Sequence, residues 1–310
     1  MIDLQVNLAP LNSRGLFLSN PVMTASGAFG YGTEIEGFEI EKVGALVCKG
    51  TTLLPREGNP QPRIVECDGG ILNSVGLQNI GLDDLIKLKA PVWARWKIPV
   101  VVNIAGATIE EYANIASRLE GVKGVSGIEV NISCPNVKEG GIEFGSNAEL
   151  AAAVTHGVKQ ATGLPVIVKL SPNVTDIAQI ALAVCHAGAD ALTLSNTWRG
   201  MAIDINTGKA VLGNVYGGFS GPAIKPLALY LVYRVSQVVN VPIIGCGGIC
   251  SAEDAVEFFM AGASAVQVGT AALNSPEVFS RVISGLQKYL EDRGCSSIRD
   301  IIGLAHSRKS

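Results

Sequence analysis

The segment Gly127-Ile-Glu-Val-Asn-Ile-Ser-Cys-Pro-Asn136 passes from a strand-like run to a polar loop. Pro135 cannot donate to a strand ladder and restricts the residue before it, so the strand should end here with Cys134 extended. A buried structural cysteine is the alternative for a lone thiol. Asn131 and Asn136 argue against that alternative, because their carboxamides would lack partners in an apolar core. The segment therefore predicts a thiol presented to a planar polar ligand at a strand end.

Other runs along the chain resemble 127–130 in being short, mostly apolar and bounded by Gly, Pro or Asn. They are 21–25, 45–47, 100–104, 166–170, 191–194, 243–245 and 265–268. Together with 127–130 they predict about eight strands, which is the number that a (β/α)8 barrel requires.

Helix signals occupy the stretches between these runs. Thr108, followed by Glu110 and Glu111, opens one helix, and the others are predicted over 146–161, 175–186, 222–239, 251–261 and 276–290. The alternation predicts parallel strands buried on both faces, with Glu129 and Gln267 as polar exceptions. Residues 4–8 and 15–18 predict an N-terminal β-hairpin. No linker divides the chain, so we predict an α/β fold, a (β/α)8 TIM barrel forming a single domain over 1–310. A doubly wound sheet is the alternative.

The composition is that of a globular protein, with 48% hydrophobic residues, 16% charged residues and a net charge of -3. That balance offers no basic surface for nucleic acid or membranes. The seven cysteines contain no C-x-x-C spacing, so they predict neither a zinc site nor an iron–sulfur cluster and fit a reducing compartment. The first residues lack a signal-peptide pattern and no apolar run is long enough to span a bilayer, so we expect a cytoplasmic protein.

Polar residues and glycines concentrate where the predicted strands end, which is where barrel active sites lie. In strand order they are Thr24 to Gly27, Cys48 to Gly50, Asn103, Asn131 with Cys134, Lys169, Ser195 to Thr197, Gly247 with Gly248, and Gly269 with Thr270. This common position predicts one site at the carboxyl end of the barrel.

Two lysines, Lys49 and Lys169, end runs that are otherwise too apolar to hold a charge. A buried ammonium needs an anionic partner or a strongly shifted pKa, so a salt bridge inside the barrel is one interpretation of each. Both together, near Asn103 and Asn131, favour a bound anionic or electron-accepting ring. A fixed cation near one edge of a flavin would stabilise the anion that forms on reduction.

The glycines after the seventh and eighth strands indicate a phosphorylated cofactor or substrate, since many barrels bind phosphate on backbone N–H groups there. Long connections follow the second strand, over 51–81, and the sixth, over 198–221. Such loops at the catalytic face are lids, substrate contacts or plain surface excursions. The histidines, His156, His186 and His306, fall on predicted helices or in the tail, so Cys134 is the candidate proton acceptor.

These motifs together resemble the class 1 dihydroorotate dehydrogenases over nearly the whole chain. They are Asn73-Ser-Val-Gly-Leu-Gln-Asn79, Asn131-Ile-Ser-Cys-Pro-Asn136, Cys48-Lys-Gly50, Lys169, Ser195-Asn-Thr197, Gly218-Phe-Ser-Gly-Pro-Ala-Ile-Lys225 and Gly245-Cys-Gly-Gly-Ile249. Class 1 enzymes use cysteine where class 2 enzymes use serine, and Gln78 is similar to the NAD-linked form (class 1B). Ser195 and Cys246 depart from the apolar residues expected there, which could alter the flavin's potential.

The resemblance implies oxidation of (S)-dihydroorotate to orotate in pyrimidine (UMP) biosynthesis. Cys134 would take the C5 proton while the C6 hydride passes to flavin N5. FMN would be held by Ser26, Lys49, Gly50, Asn103, Asn131, Lys169, Ser195, Gly221, Gly247, Gly248, Gly269 and Thr270. The substrate would be held by Lys49, Asn73, Ser74, Val75, Gly76, Leu77, Asn131, Asn196 and Thr197.

The NAD-linked form is similar in needing a second subunit with FAD and a 2Fe-2S cluster, arranged around a homodimer within a heterotetramer. This chain has no G-x-G-x-x-G fingerprint and no cluster motif of its own, which fits that division of labour. Alternatives are a fumarate-linked class 1 enzyme, a dihydropyrimidine dehydrogenase-like enzyme, a flavin-free phosphate-binding isomerase or lyase, and a non-catalytic barrel.

Overall fold

The computed structural model describes residues 2–34, 38–133, 135–136 and 142–306. The strands among them are β1 (Val6–Asn7), β2 (Phe17–Leu18), β3 (Val22–Thr24), β4 (Leu46–Val47), β5 (Ile64–Cys67), β6 (Gly70–Asn73), β7 (Val100–Ile104), β8 (Gly127–Asn131), β9 (Pro135–Asn136), β10 (Ile142–Glu143), β11 (Val166–Lys169), β12 (Ala191–Leu194), β13 (Trp198–Met201), β14 (Ile203–Asp204), β15 (Lys209–Ala210), β16 (Tyr216–Ser220), β17 (Ile243–Cys246) and β18 (Ala265–Val268).

Eight of these strands form one parallel sheet in the order β3-β18-β17-β12-β11-β8-β7-β4. The two outer strands of that order also meet, because Thr24 N–H donates to Ala45 C=O (3.2 Å) and Gly44 N–H donates to Val22 C=O (2.7 Å). The sheet therefore closes into a barrel, which confirms the predicted (β/α)8 fold and excludes the open doubly wound sheet.

The predicted runs match these eight strands to within one or two residues. Every residue in them except Asn131 is buried, since helices cover the outside and side chains fill the inside. Burial on both faces is the physical reason why the runs are continuously apolar.

The α-helices are α1 (Gly81–Asp84), α2 (Ala90–Trp93), α3 (Ile109–Leu119), α4 (Ala148–Ala161), α5 (Ile177–His186), α6 (Lys225–Ser236), α7 (Ala252–Met260), α8 (Thr270–Asn274) and α9 (Val278–Asp292). A π-helical turn, Leu85–Lys89, joins α1 to α2. Short 3-10 turns are Ile40–Lys42, Phe144–Ser146, Pro222–Ile224, Ile298–Ile301 and Leu304–His306. No helix among the described residues is long and apolar enough to cross a membrane.

Side-chain caps fix where several helices begin. Thr108 accepts a hydrogen bond from Glu111 N–H at the start of α3, and Ser251 forms a reciprocal capping box with Asp254 at the start of α7. Both starts confirm the sequence prediction. The helical segment from α1 to α2 has no counterpart among the predicted helices. Gly81 and Pro91 interrupt the usual helical pattern there.

The N-terminal hairpin is confirmed as β1 paired antiparallel with β2. Its turn lies against the amino end of the barrel: the Asn12 amide donates to Gly163 C=O (3.4 Å), and Arg14 forms an ion pair with Glu120. Gly163 precedes β11, so the hairpin closes the end of the barrel opposite to the strand carboxyl ends.

The two long connections, 51–81 and 198–221, pair with each other in an antiparallel sheet of order β13-β16-β6-β5. Gly218 of β16 pairs with Arg199 of β13 on one side and with Asn73 of β6 on the other. The second connection also carries the small β14–β15 hairpin. The two excursions therefore form one structure that stands beside the mouth of the barrel.

Candidate active site

A cavity of about 1320 Å³ opens at the carboxyl ends of the barrel strands and beneath the excursion sheet. Its wall contains Ser26, Lys49, Gly50, Asn73, Ser74, Val75, Gly76, Leu77, Asn103, Asn131, Lys169, Ser195, Asn196, Thr197, Gly221, Gly247, Gly248, Gly269 and Thr270. These are all the predicted site residues that the structure describes. The predicted catalytic residue, Cys134, lies outside the described residues.

A buried polar cluster lies at the floor of the cavity, centred on Glu129 of β8. Its Oε1 accepts from Asn103 Nδ2 (2.8 Å), and its Oε2 accepts from Thr193 Oγ1 (2.8 Å) and Gln267 Nε2 (2.6 Å). Lys169 Nζ lies 3.9 Å from Glu129 Oε1 and donates to Gln267 Oε1 (3.2 Å). Because the charges are almost fully buried, this pairing is what makes them tolerable inside the barrel.

The Lys169 ammonium remains protonated at the cavity floor. Burial lowers its pKa, but attraction to Cys246 and Glu129 outweighs burial and the net direction is upward. Burial also raises the pKa of the Cys246 thiol, while the neighbouring Lys169 opposes that shift. Lys169 therefore presents a fixed positive charge to whatever occupies the cavity.

A second cluster joins the ends of β8 and β12. The Asn196 amide donates to Asn131 Oδ1 (3.1 Å) and to Ser133 Oγ (2.9 Å), and Asn196 Oδ1 accepts from Thr197 N–H (2.8 Å). Tyr112 Oη fixes Asn131 from behind by donating to its backbone carbonyl (2.6 Å). Three predicted substrate residues, Asn131, Asn196 and Thr197, are thus held as one unit facing the cavity.

The loop that follows β6 is held in place by its own polar groups. The Asn79 amide donates to Thr52 Oγ1 (2.8 Å) and to Leu77 C=O (2.7 Å). Asn59 Nδ2 donates to Ser74 Oγ (2.9 Å), and Gly76 adopts a positive φ of 75° with the Asn59 backbone nitrogen 2.5 Å from where a Cβ would lie. The loop is therefore ordered with residues 73–77 on the cavity wall, and Gly76 permits its close approach to Asn59.

Comparison with known proteins agrees with this geometry. The family model described as "Dihydroorotate dehydrogenase" matches residues 9–290. The chain belongs to the dihydroorotate dehydrogenase family. It is 54% identical to a Pelobacter propionicus protein named "Dihydroorotate dehydrogenase B (NAD(+)), catalytic subunit", over 97% of this chain and 98% of that protein. A Desulforamulus reducens protein of the same name is 54% identical, over 94% and 96%.

A solved structure of dihydroorotate dehydrogenase from Eimeria tenella, in complex with ferulenol, shares the fold. Its TM-score is 0.80 at 25% sequence identity, and the match covers 98% of this chain and 89% of that one. The overall fold is therefore that of the dihydroorotate dehydrogenase family.

The family implies FMN, and the residues of the cavity fit that cofactor. Asn103 Oδ1 is buried without a hydrogen-bond partner among the described residues, and a Cβ on Gly50 would lie 3.0 Å from it. This acceptor suits a ring N–H, while Lys169 suits the side of a ring that gains electron density. An orphaned buried acceptor is costly unless a ligand satisfies it.

The far wall of the cavity is built from glycines, which suits the phosphate of such a cofactor. Gly221 and Gly247 have φ of 122° and 135°, and Gly248 has φ of 75° with Lys225 Cβ 2.7 Å from where its own Cβ would lie. Side chains are therefore disfavoured at all three positions, which leaves backbone groups exposed to an anion. Thr270 Oγ1 donates to Ser220 Oγ (2.9 Å) beside them.

Lys49 differs from Lys169 because its side-chain ammonium has no hydrogen-bond or ion-pair partner in the part of the chain that the structure describes. Its side chain is half-buried on the cavity wall. Burial is the largest cause that lowers the pKa of Lys49 below its ordinary 10.5, and Glu34 opposes that shift. Among the described residues, the salt-bridge interpretation thus applies to Lys169 and not to Lys49, whose charge faces no anionic side chain within ion-pair distance there.

Sequence reasoning missed several residues that support this site. Glu129 and Gln267 were visible as polar interruptions of apolar strands, but nothing in the sequence showed that they meet. Asn173 is a further omission: its amide donates to Thr197 C=O (3.2 Å), and its Oδ1 accepts from Arg199 N–H (2.9 Å). The three histidines lie away from the cavity wall, with His306 stacked on Tyr233.

Proposed function

We propose that this chain oxidises (S)-dihydroorotate to orotate, a step of de novo pyrimidine (UMP) biosynthesis, with FMN as its cofactor. The observation that carries the proposal is the cavity floor, where Lys169 and Asn103 lie on the wall of a space bordered by the Asn131, Asn196 and Thr197 cluster. Asn103 Oδ1 is buried there without a hydrogen-bond partner among the described residues. We also propose that residues 1–310 form one domain.

The residues proposed to hold FMN would each contact a different part of the cofactor. Lys169 supplies positive charge, Asn103 accepts a ring N–H, and Gly247 and Gly248 leave backbone N–H groups for the phosphate. Ser26, Lys49, Gly50, Asn131, Ser195, Gly221, Gly269 and Thr270 complete the proposed set. When bound, the flavin would supply the acceptor for the hydride that leaves C6 of the substrate.

Dihydroorotate is a carboxylate attached to a cyclic ureide, so its site needs a cation and several carboxamides. Lys49, whose ammonium has no partner among the described residues, supplies the cation. Asn73, Asn131, Asn196 and Thr197 supply hydrogen-bonding groups, and Ser74, Val75, Gly76 and Leu77 form the adjoining wall. Cys134 is proposed as the base that removes the C5 proton.

We propose further that electrons leave through a partner subunit that carries FAD and a 2Fe-2S cluster and reduces NAD+. The names of the bacterial relatives, which specify NAD(+) and a catalytic subunit, support this acceptor. The assembly would be a cytoplasmic heterotetramer built on a homodimer of this chain. Accordingly, the purified chain should not reduce NAD+, and efficient NAD+ reduction by the chain alone would contradict the partner requirement.

The experiment that tests the activity is formation of orotate from dihydroorotate by the purified chain with an artificial electron-accepting dye. Parallel reactions with fumarate as acceptor, and with dihydrouracil as substrate, distinguish the fumarate-linked and dihydropyrimidine alternatives. Orotate formed with the dye but not with fumarate supports the proposal. Oxidation of dihydrouracil in preference to dihydroorotate would overturn it.

A further inference from the structure

Glu129 contacts four side chains, those of Asn103, Thr193, Gln267 and Lys169, without reaching the cavity itself. It is fully buried and absent from the cavity wall, whereas Asn103 and Lys169 lie on that wall. Any influence of Glu129 on a ligand must therefore pass through these neighbours.

The contact with Asn103 determines which end of that carboxamide is turned away from Glu129. Glu129 Oε1 can only accept in its ionised form, so Asn103 must direct Nδ2 towards it, at 2.8 Å. The other end, Oδ1, is then left without a partner among the described residues, next to Gly50. Glu129 orients Gln267 in the same way. Gln267 Nε2 donates to Glu129, so Gln267 Oε1 faces Lys169 Nζ and accepts from it.

We propose that Glu129 is a positioning residue that orients Asn103, so that the cavity floor presents a hydrogen-bond acceptor and selects a ring with an N–H donor at that place. The inference rests on the proposed use of FMN, whose ring carries an imide N–H. A neutral residue of the same shape at position 129 should turn the Asn103 amide over, so that the cavity floor presents a donor in place of the acceptor.

Glu129→Gln makes that reversal without changing the volume, and it also removes the ion-pair partner of Lys169. The new Nε2, placed where Oε1 now lies, would face Asn103 Nδ2 donor to donor, while the remaining Oε would still accept from Thr193 and Gln267. Asn103 would relieve the conflict by rotating its amide, which turns Nδ2 towards the cavity. A ring N–H would then meet a donor, so FMN binding should weaken.

Exchanging the carboxylate and the carboxamide between positions 129 and 103 should restore FMN binding. In the E129Q/N103D double variant, the new amide at position 129 would donate to the new carboxylate at position 103. The second oxygen of that carboxylate would again face the cavity as an acceptor. The net charge of the pair is unchanged from wild type, and Lys169 keeps its bond to Gln267. The acceptor at the floor is thus restored with the carboxylate moved to the neighbouring strand.

The test is titration of the apoproteins with FMN, followed by quenching of flavin fluorescence, with thermal unfolding as a check on folding. E129Q should bind FMN about 10-fold to 100-fold more weakly than wild type, the range expected for an acceptor replaced by a donor. The double variant should recover most of that loss. Thr193→Val, which removes a donor from the other carboxylate oxygen, should lose less affinity than E129Q.

Each outcome decides the inference. Equal FMN affinity of E129Q and wild type, or a folded double variant that binds no better than E129Q, would overturn it. If E129Q fails to fold, recovery of folding and FMN binding in the double variant supports it, and failure of both variants overturns it. A wild-type chain that binds no FMN would overturn the proposed function itself, which is a distinguishable result.

Discussion

A methyl group on Gly218 should damage substrate binding through Thr197. A Cβ built on Gly218 lies 2.0 Å from Thr197 Oγ1 and 2.7 Å from Thr197 Cβ, so the two side chains cannot both keep their places. Thr197 is anchored on both sides, since its N–H donates to Asn196 Oδ1 (2.8 Å) and its C=O accepts from Asn173 Nδ2 (3.2 Å). The strain therefore falls on the cluster that we assign to the substrate.

Overpacking of this kind costs about 1–3 kcal/mol, which corresponds to about 5-fold to 150-fold in an equilibrium constant. We expect Gly218→Ala to raise KM for dihydroorotate within that range while FMN binding changes little. Gly200→Ala is the matched control, because it lies in the same sheet and its Cβ meets the flexible end of Leu72 at 2.8 Å. The assay is initial rate against dihydroorotate concentration with a dye acceptor. A G218A enzyme that is folded and keeps KM within about twofold of wild type would refute the role of Thr197.

Three further predictions concern Cys134 as the proposed base, Lys49, and the contact between the hairpin and the barrel. Cys134→Ser should lower turnover by at least about 100-fold, as expected for loss of a matched general base, with FMN retained in the purified protein; wild-type turnover in C134S would exclude the thiol as the base. Lys49 should bind the substrate carboxylate only while protonated, and burial lowers its pKa, so KM should rise with alkaline pH below 10.5, whereas Lys49→Met should show a high KM without that rise. Glu120 has a pKa lowered from 4.5 to about 2 by hydrogen bonds from Thr162 and Arg14, so its contribution to stability is complete above pH 4.5 and is lost as the pH falls towards 2. Denaturant unfolding of wild type and Glu120→Gln across that range should show a difference that disappears in acid, and a constant difference would contradict this account.

The barrel could be predicted from sequence because its signals are local. Each strand is a short apolar run that ends at a polar residue or a glycine. Because both faces of the strands are buried, the runs are continuously apolar and do not alternate between apolar and polar residues. Caps such as Thr108 and Ser251 likewise mark helix starts within a few residues. The strand ends also identify the site, because parallel strands in a barrel bring their carboxyl ends to one face.

The excursion sheet could not be predicted in the same way. Gly218 pairs with Asn73, which is far away in sequence, and strand register over such a distance depends on tertiary packing. Glycines at 217 and 218 carry no strand propensity, and their reason appears only when Asn73 and Thr197 are seen beside them.

The polar cluster below the site shows a different limit. Glu129 and Gln267 are recognisable as exceptions in apolar strands, but β8 and β18 are not neighbours in the sheet. Their side chains meet across the barrel interior at 2.6 Å, and a sequence pattern does not report contacts across an interior. The site residues at the strand ends could thus be predicted from sequence, whereas the contacts of the buried residues that position them could not.

The measurement that tests the central claim most directly is the visible spectrum of the purified chain under anaerobic conditions, before and after dihydroorotate is added. The account predicts a yellow protein whose flavin absorbance bleaches on addition of dihydroorotate, because the cavity holds FMN and substrate together. A yellow protein that does not bleach would contradict the substrate assignment. A colourless protein that gains no colour with added FMN would contradict the flavin site itself.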